Sequence, residues 1–189
     1  GDVYKRQVGE LAGPSQLAQT FREDFRVHVI PLVNPDGVDL GHWRHNTGGV
    51  DLNRDWIAFN QPETRAVRDV YTAILNQPGQ ELWFGVDFHS TRYDVFYTLE
   101  RSLETDPAGI TDRWLDYIAE ELPDYHVNDS PSGMGTPMSR NWFYSTFGAP
   151  ALIYEVGDDT DRALIRRVAS TAARGTMEIL LDELQNRGR

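Results

Sequence analysis

The chain of 189 residues contains no cysteine. Disulfides and thiolate metal sites are therefore excluded, and any metal has to be held by histidine and carboxylate side chains. Positive charge is scarce: 18 Lys and Arg stand against 29 Asp and Glu, a net charge of -11. That balance argues against a general binder of nucleic-acid backbones, which needs a basic footprint. No apolar run approaches the roughly 20 residues that a membrane-spanning helix needs. The first residue is Gly1, not an initiator methionine. Low-complexity tracts, repeats and linkers are absent as well.

What is present suits one globular domain with a sizeable core: 40% hydrophobic and 25% charged residues. Ser15 to Asp24 reads as a short helix. Arg26 to Val33, RVHVIPLV, reads as a buried strand that ends in the turn signal Asn34-Pro35-Asp36-Gly37. Residues 38 to 61 lack periodicity and suit a long ordered loop, a kind of segment that usually carries function. Pro62 opens a helix with Val67, Val70, Ile74 and Leu75 turned inward. Further strands are expected over Leu82–Phe88, Val95–Leu99 and the run APALIYEVG. Helices are expected over Thr111–Leu122 and Arg162–Leu184, with a Gly/Pro/Ser loop at 127 to 138. The alternation predicts an α/β fold, a mixed β-sheet sandwiched between helices.

Ligand sites in open α/β sheets lie beyond the carboxyl ends of strands. Three predicted strands here end in NPDG, DFHS and YEVG. Taken singly, each has an ordinary explanation as a turn former, a surface histidine or a helix cap. Taken in order, with HWRHNTGGVDLNRDW (residues 42 to 56) between the first two, they resemble the zinc carboxypeptidases of the carboxypeptidase A type. The similarity runs from about residue 26 to residue 160, and DLNRDW beside an NPDG turn is its most specific part.

The resemblance implies a set of roles. His89 corresponds to the last of three zinc ligands. Glu155 corresponds to the catalytic carboxylate that takes a proton from the attacking water and returns it to the leaving amine. Asn53 and Arg54 correspond to the clamp on the substrate's terminal carboxylate, for which a planar guanidinium is suited. Arg44 corresponds to the arginine that stabilises the oxyanion, and Asp51 to a carboxylate that orients a zinc-bound histidine. Trp142 stands thirteen residues before Glu155, a spacing that resembles the family's, and on that spacing Arg140 falls at the base of the pocket for the terminal side chain. A buried arginine there favours glutamate or aspartate; a solvent-facing one favours nothing. The loop before the Glu155 strand lacks the tyrosine the family often carries there.

The implied cofactor is one Zn2+ ion, yet the H-x-x-E segment that supplies its other two ligands is missing upstream of NPDG. A set built from His42, His45 and His89 is a weaker alternative. The first seven residues, GDVYKRQ, back-translate from Asp2 onward as GAT GTG TAT AAG AGA CAG, the end of a transposase adapter used for sequencing libraries. Residues 1–7 are accordingly expected to be adapter. Residues 8–189 are expected to be the C-terminal portion of a catalytic domain that lacks its N-terminal strands and two zinc ligands. The implied activity is removal of C-terminal residues from peptides, with this chain inactive alone. Alternatives are an amidohydrolase acting on N-acyl amino acids or cell-wall peptides, and a pseudoenzyme that binds peptide C-termini. The partner in each case is a substrate with a free C-terminal carboxylate. The resemblance also implies a secreted or periplasmic location.

Overall fold

A computed structural model describes residues 2–188. In chain order, helices α1 (Asp2–Leu11), α2 (Gln16–Asp24) and α3 (Pro35–Asp39) precede a 3-10 turn at Leu52–Arg54. Helix α4 (Pro62–Leu75), strands β1 (Gly85–Thr91) and β2 (Val95–Tyr97), and helices α5 (Ile110–Glu121) and α6 (Ser139–Phe147) follow. Strand β3 (Ala151–Gly157) and helix α7 (Arg162–Arg187) complete the chain. The sheet is mixed, in the order β1-β3-β2, with β1 parallel and β2 antiparallel to β3. The expected α/β architecture is the observed one.

Side chains alternate across a sheet, and directly paired residues share a face. On one face, Phe88, Phe96, Leu152 and Tyr154 pack under α1, α2, α5 and α7, with Trp114 and Met177 at the centre of this larger core. Trp114 donates its indole N–H to the Ala172 carbonyl at 2.9 Å, so a buried polar atom of this core is satisfied. On the opposite face, Gly85 and Ala151 lie side by side beneath Phe143 of α6. The same side chain joins Trp56, Trp142 and Val67 in a second core. The Trp56 and Trp142 rings stack with centroids 5.4 Å apart, fastening the DLNRDW turn to α6. Beyond Phe143 the second face is no longer covered, and it opens into a cleft at the carboxyl ends of β1 and β3.

Several expectations change. Arg26 to Val33 is not a buried strand: it runs without ladder pairing, with Val27 and Val29 each 43% exposed and Leu32 50% exposed. β-propensity measures fit to a pleated, half-buried surface, and no described strand pairs with this run. The NPDG turn tightens into α3, capped by the Asn34 carboxamide, which accepts from the Gly37 amide at 3.1 Å. Val70 points outward, 50% exposed, while Val67 is buried. Two helices were not anticipated, α1 and α6. Helix α1 takes in Asp2 to Gln7 of the stretch expected to be adapter and buries Val3 and Gln7; a helix-competent run forms one whatever its origin.

Candidate active site

The register of the sheet sets the site. His89 of β1 lies directly opposite Glu155 of β3, and Val95 of β2 completes that row. One row back, toward the covered end, stand Asp87, Ile153 and Tyr97. His89, Glu155, Asp87, Ile153 and Tyr97 border an open hollow of about 2050 Å³, which Arg44, Asp51, Asn53 and Arg54 also line and which continues around the edge strand β1 to Val86, Phe88 and Tyr4 on the other face. Six of the seven side chains singled out from the sequence thus converge on one concavity. Arg140 does not line it.

The long loop brings its residues there through short-range bonds. Asp51 caps the 3-10 turn, its carboxylate accepting from the Asn53 amide at 2.9 Å. Arg44 reaches the other Asp51 oxygen at 3.6 Å and stacks over the Trp43 ring at 4.3 Å. Trp43 is 86% exposed, so this pair stands on the rim. Arg54 is exposed and donates to the Asn53 carbonyl at 2.8 Å, which leaves most of its fork unengaged. Asp55, next in sequence, is buried and accepts from the Asn60 and Gln61 amides and the Thr64 hydroxyl. It ties the turn to the start of α4.

His89 has a partner that sequence reading missed. Its Nε2 lies 2.8 Å from Asp87 Oδ2. The same oxygen accepts the Ser139 hydroxyl at 2.5 Å, and the Ser139 amide donates to Asn53 Oδ1 at 3.0 Å. The D-x-H spacing was the available signal: residues two apart on a strand share a face. Burial opposes a charge on His89. The carboxylate of Asp87, its hydrogen bond, and the charges of Glu155 and Asp51 outweigh that, and hold the imidazolium up to about 9. Burial pushes Glu155 above its ordinary range; His89 and Arg44 pull the other way and Asp87 adds to the rise. Tyr97 is raised by burial and by the neighbouring Glu155.

Arg140 is wholly buried. Its guanidinium donates to the Thr98 carbonyl and to the carbonyl and hydroxyl of Ser132, the latter two at 3.0 and 2.5 Å. Its Nε has no partner. Burial lowers its pKa, with Glu100 opposing. Arg140 therefore clamps the 127–138 loop against the end of β2, and the solvent-facing alternative does not apply.

Among the described residues, no group of three His, Asp or Glu side chains converges so as to hold a metal ion. His42 and His45 are exposed; His42 lines the same hollow as His89, but the three form no metal-holding group. The side chains described do not fit a complete zinc site.

Comparison with known proteins agrees with this geometry. The family model for zinc carboxypeptidases matches residues 9–162. Mouse cytosolic carboxypeptidase 6 is 32% identical over 83 residues, 42% of this chain and 15% of the relative. Cytosolic carboxypeptidase 1 of Xenopus laevis is 43% identical over 100 residues, 50% of this chain and 8% of the relative. A metallo-carboxypeptidase structure from Burkholderia cenocepacia superposes with a TM-score of 0.74 at 22% identity, covering 97% of this chain and 53% of that one. The chain thus spans about half the length of that structure and a smaller share of the two relatives. The expected secreted or periplasmic location is corrected by these matches, because the curated relatives are cytosolic carboxypeptidases. That expectation rested on resemblance alone, with no residue of the chain carrying it. The family-model match over most of the chain, with the ordered motifs gathered on one cleft, establishes that the chain belongs to the zinc carboxypeptidase family.

Proposed function

We propose that this chain is part of a metallocarboxypeptidase that hydrolyses the last peptide bond of a substrate with a free C-terminal carboxylate. The observation that carries the reading is the adjacency of His89 and Glu155 in one sheet row, facing a cleft rimmed by Arg44, Asn53 and Arg54. Asn53 and Arg54 receive the terminal carboxylate, the guanidinium by a two-point contact. Arg44, stacked on the exposed Trp43 ring, donates to the scissile carbonyl oxygen as charge builds there. Glu155 takes the proton of the attacking water and returns it to the leaving amine. Its raised pKa suits a group that has to hold a proton between two steps. Asp51 keeps Arg44 and the turn bearing Asn53 in register.

Zinc is the family's metal, and His89 is its proposed ligand here. The remaining two ligands are proposed to lie in sequence upstream of residue 8, with residues 1–7 derived from adapter. On that reading the 189-residue chain binds peptide acids without turning them over. A second reading is a pseudoenzyme that only binds peptide C-termini. An amidohydrolase acting on N-acyl amino acids or cell-wall peptides would use the same clamp and proton shuttle.

The deciding experiment extends the chain by its upstream codons and assays release of C-terminal residues from a peptide mixture in the presence of zinc. Turnover that Glu155→Gln abolishes while zinc stays bound supports hydrolysis. Turnover that survives Glu155→Gln removes the assigned role, and zinc-free binding without turnover supports the pseudoenzyme. Arg140 is proposed to favour an acidic terminal side chain through its field, since it is one buried cation beside Ser132 on the cleft wall. Faster release of C-terminal Glu than Leu is the expected result, and a preference for Leu sinks that idea.

A further inference from the structure

We infer that Asp87 and Ser139 are positioning residues for the carboxylate clamp, fixing which end of the Asn53 carboxamide faces the cleft. The inference rests on the proposed role of Asn53 in holding a substrate carboxylate. An asparagine side chain has an acceptor end and a donor end, and only the donor end attracts an anion. Here the acceptor end is taken: Asn53 Oδ1 receives the Ser139 amide at 3.0 Å. With Oδ1 held at the α6 N-terminus, the NH2 group is the end left for the cleft that Asn53 lines. Had the carboxamide been flipped, an oxygen would meet an incoming carboxylate and repel it.

The Ser139 amide is in turn held in place. Ser139 is almost fully buried at the first residue of α6, and the helix has no side-chain cap of its own. Its hydroxyl donates to Asp87 Oδ2 at 2.5 Å, anchoring the helix start to the floor of the sheet. Asp87 is itself fixed by its place in β1, opposite Ile153, and by His89 at 2.8 Å. The chain of contacts His89, Asp87, Ser139, Asn53 therefore joins the chemical row of the sheet to the clamp in the loop. These four residues come from three separate segments, so their alignment depends on how α6 seats against β1. The Trp56–Trp142 stack keeps the loop and α6 together on the other flank.

The test needs neither metal nor turnover. In the isotopically labelled 189-residue chain, through-hydrogen-bond scalar coupling is measured between the Ser139 amide nitrogen and the Asn53 carboxamide carbon. The coupling is expected in the parent chain and in Ser139→Thr, which keeps a hydroxyl. It is expected to weaken or vanish in Ser139→Ala and in Asp87→Asn, with the melt still cooperative. Binding of N-acetyl-glycylglycine is followed in parallel, with its C-terminal amide as control. Both weakening variants are expected to bind the acid roughly 3- to 10-fold less well, the loss expected for one hydrogen bond, and the amide unchanged. If Asp87→Asn does not fold, the Ser139→Ala and Ser139→Thr pair carries the test. Absence of the coupling in the parent, or its full retention in Ser139→Ala, overturns the inference. Coupling that behaves as expected while no chain binds the peptide acid keeps the contact geometry and overturns the clamp assignment instead.

Discussion

Replacing Asp55 with asparagine leaves shape almost unchanged and reverses one end of a buried carboxylate. Asp55 Oδ1 accepts the Asn60 amide at 2.9 Å; Oδ2 accepts the Gln61 amide at 2.8 Å and the Thr64 hydroxyl at 2.5 Å. An asparagine keeps one acceptor oxygen, so its NH2 faces at least one backbone N–H whichever way it is turned. Thr64 is able to rotate and accept, because its hydroxyl also has the Gln61 carbonyl as a partner at 3.1 Å. The backbone amide has no such freedom. A hydrogen bond to a charged acceptor contributes about 1.5–3 kcal/mol, and a buried unsatisfied N–H costs about 1–3 kcal/mol more. Asp55→Asn is therefore expected to destabilise the chain by roughly 2–5 kcal/mol, against about 1–2 kcal/mol for Thr64→Val.

Urea unfolding of the three chains measures this directly. The pH dependence follows from the sign of the shift. Burial pushes Asp55 up, but the Thr64 hydroxyl, the Gln61 and Asn60 amides and Arg65 outweigh it and hold it below its ordinary 3.8. Its contribution is fully present above about pH 3.8 and is lost as the pH falls through the lower folded value. The gap between parent and Asp55→Asn should thus be flat at neutral pH and close in acid. A neutral-pH difference under about 0.5 kcal/mol would refute the account of how the loop is held.

Trp56→Ala removes one half of the Trp56–Trp142 stack and is expected to cost about 3–5 kcal/mol, with peptide-acid binding weakened because the clamp turn loosens from α6; a melt unchanged from the parent would contradict this. Glu155→Gln is expected to leave the metal-free chain at least as stable as the parent at neutral pH. Because the folded state raises the Glu155 pKa above 4.5, its favourable contribution is fully present below about pH 4.5 and is lost as the pH rises from there through the folded pKa. Thermal melts in which Glu155→Gln is clearly the weaker chain at neutral pH would show that its charge is welcomed, not tolerated. Sequencing the source DNA upstream of codon 8 is expected to reveal an open frame with an H-x-x-E segment; a native frame that begins with GDVYKRQ would dismiss the adapter origin.

The legible part of this protein was local. Ser15 to Asp24 read as α2, with Ser15 proving to be its N-cap; Pro62 announced the first turn of α4, and the apolar run to Glu155 announced β3. These signals act over a few residues, through side chains bonding to nearby backbone or through fixed dihedral angles. Arg26 to Val33 shows the limit of such reading, because a strand needs a neighbour and composition does not supply one. Helix α6 was missed for the complementary reason. Its Ser-Arg-Asn-Trp start buries almost every side chain, so no polar stripe marks it.

By itself the sequence determined the chemical inventory: no thiolates, an acidic balance, and ordered motifs that carry His89, Glu155 and the Asn53–Arg54 pair. The tertiary structure alone decided that His89 and Glu155 share a row, that Ser139 bridges Asp87 and Asn53, and that Arg140 is buried against main-chain carbonyls. Those outcomes depend on strand register and on the seating of α6, which are set by contacts between residues 50 to 90 positions apart in the chain. A one-residue slip of β1 would send His89 to the opposite face. Motifs list the groups that are available; packing fixes which of them meet.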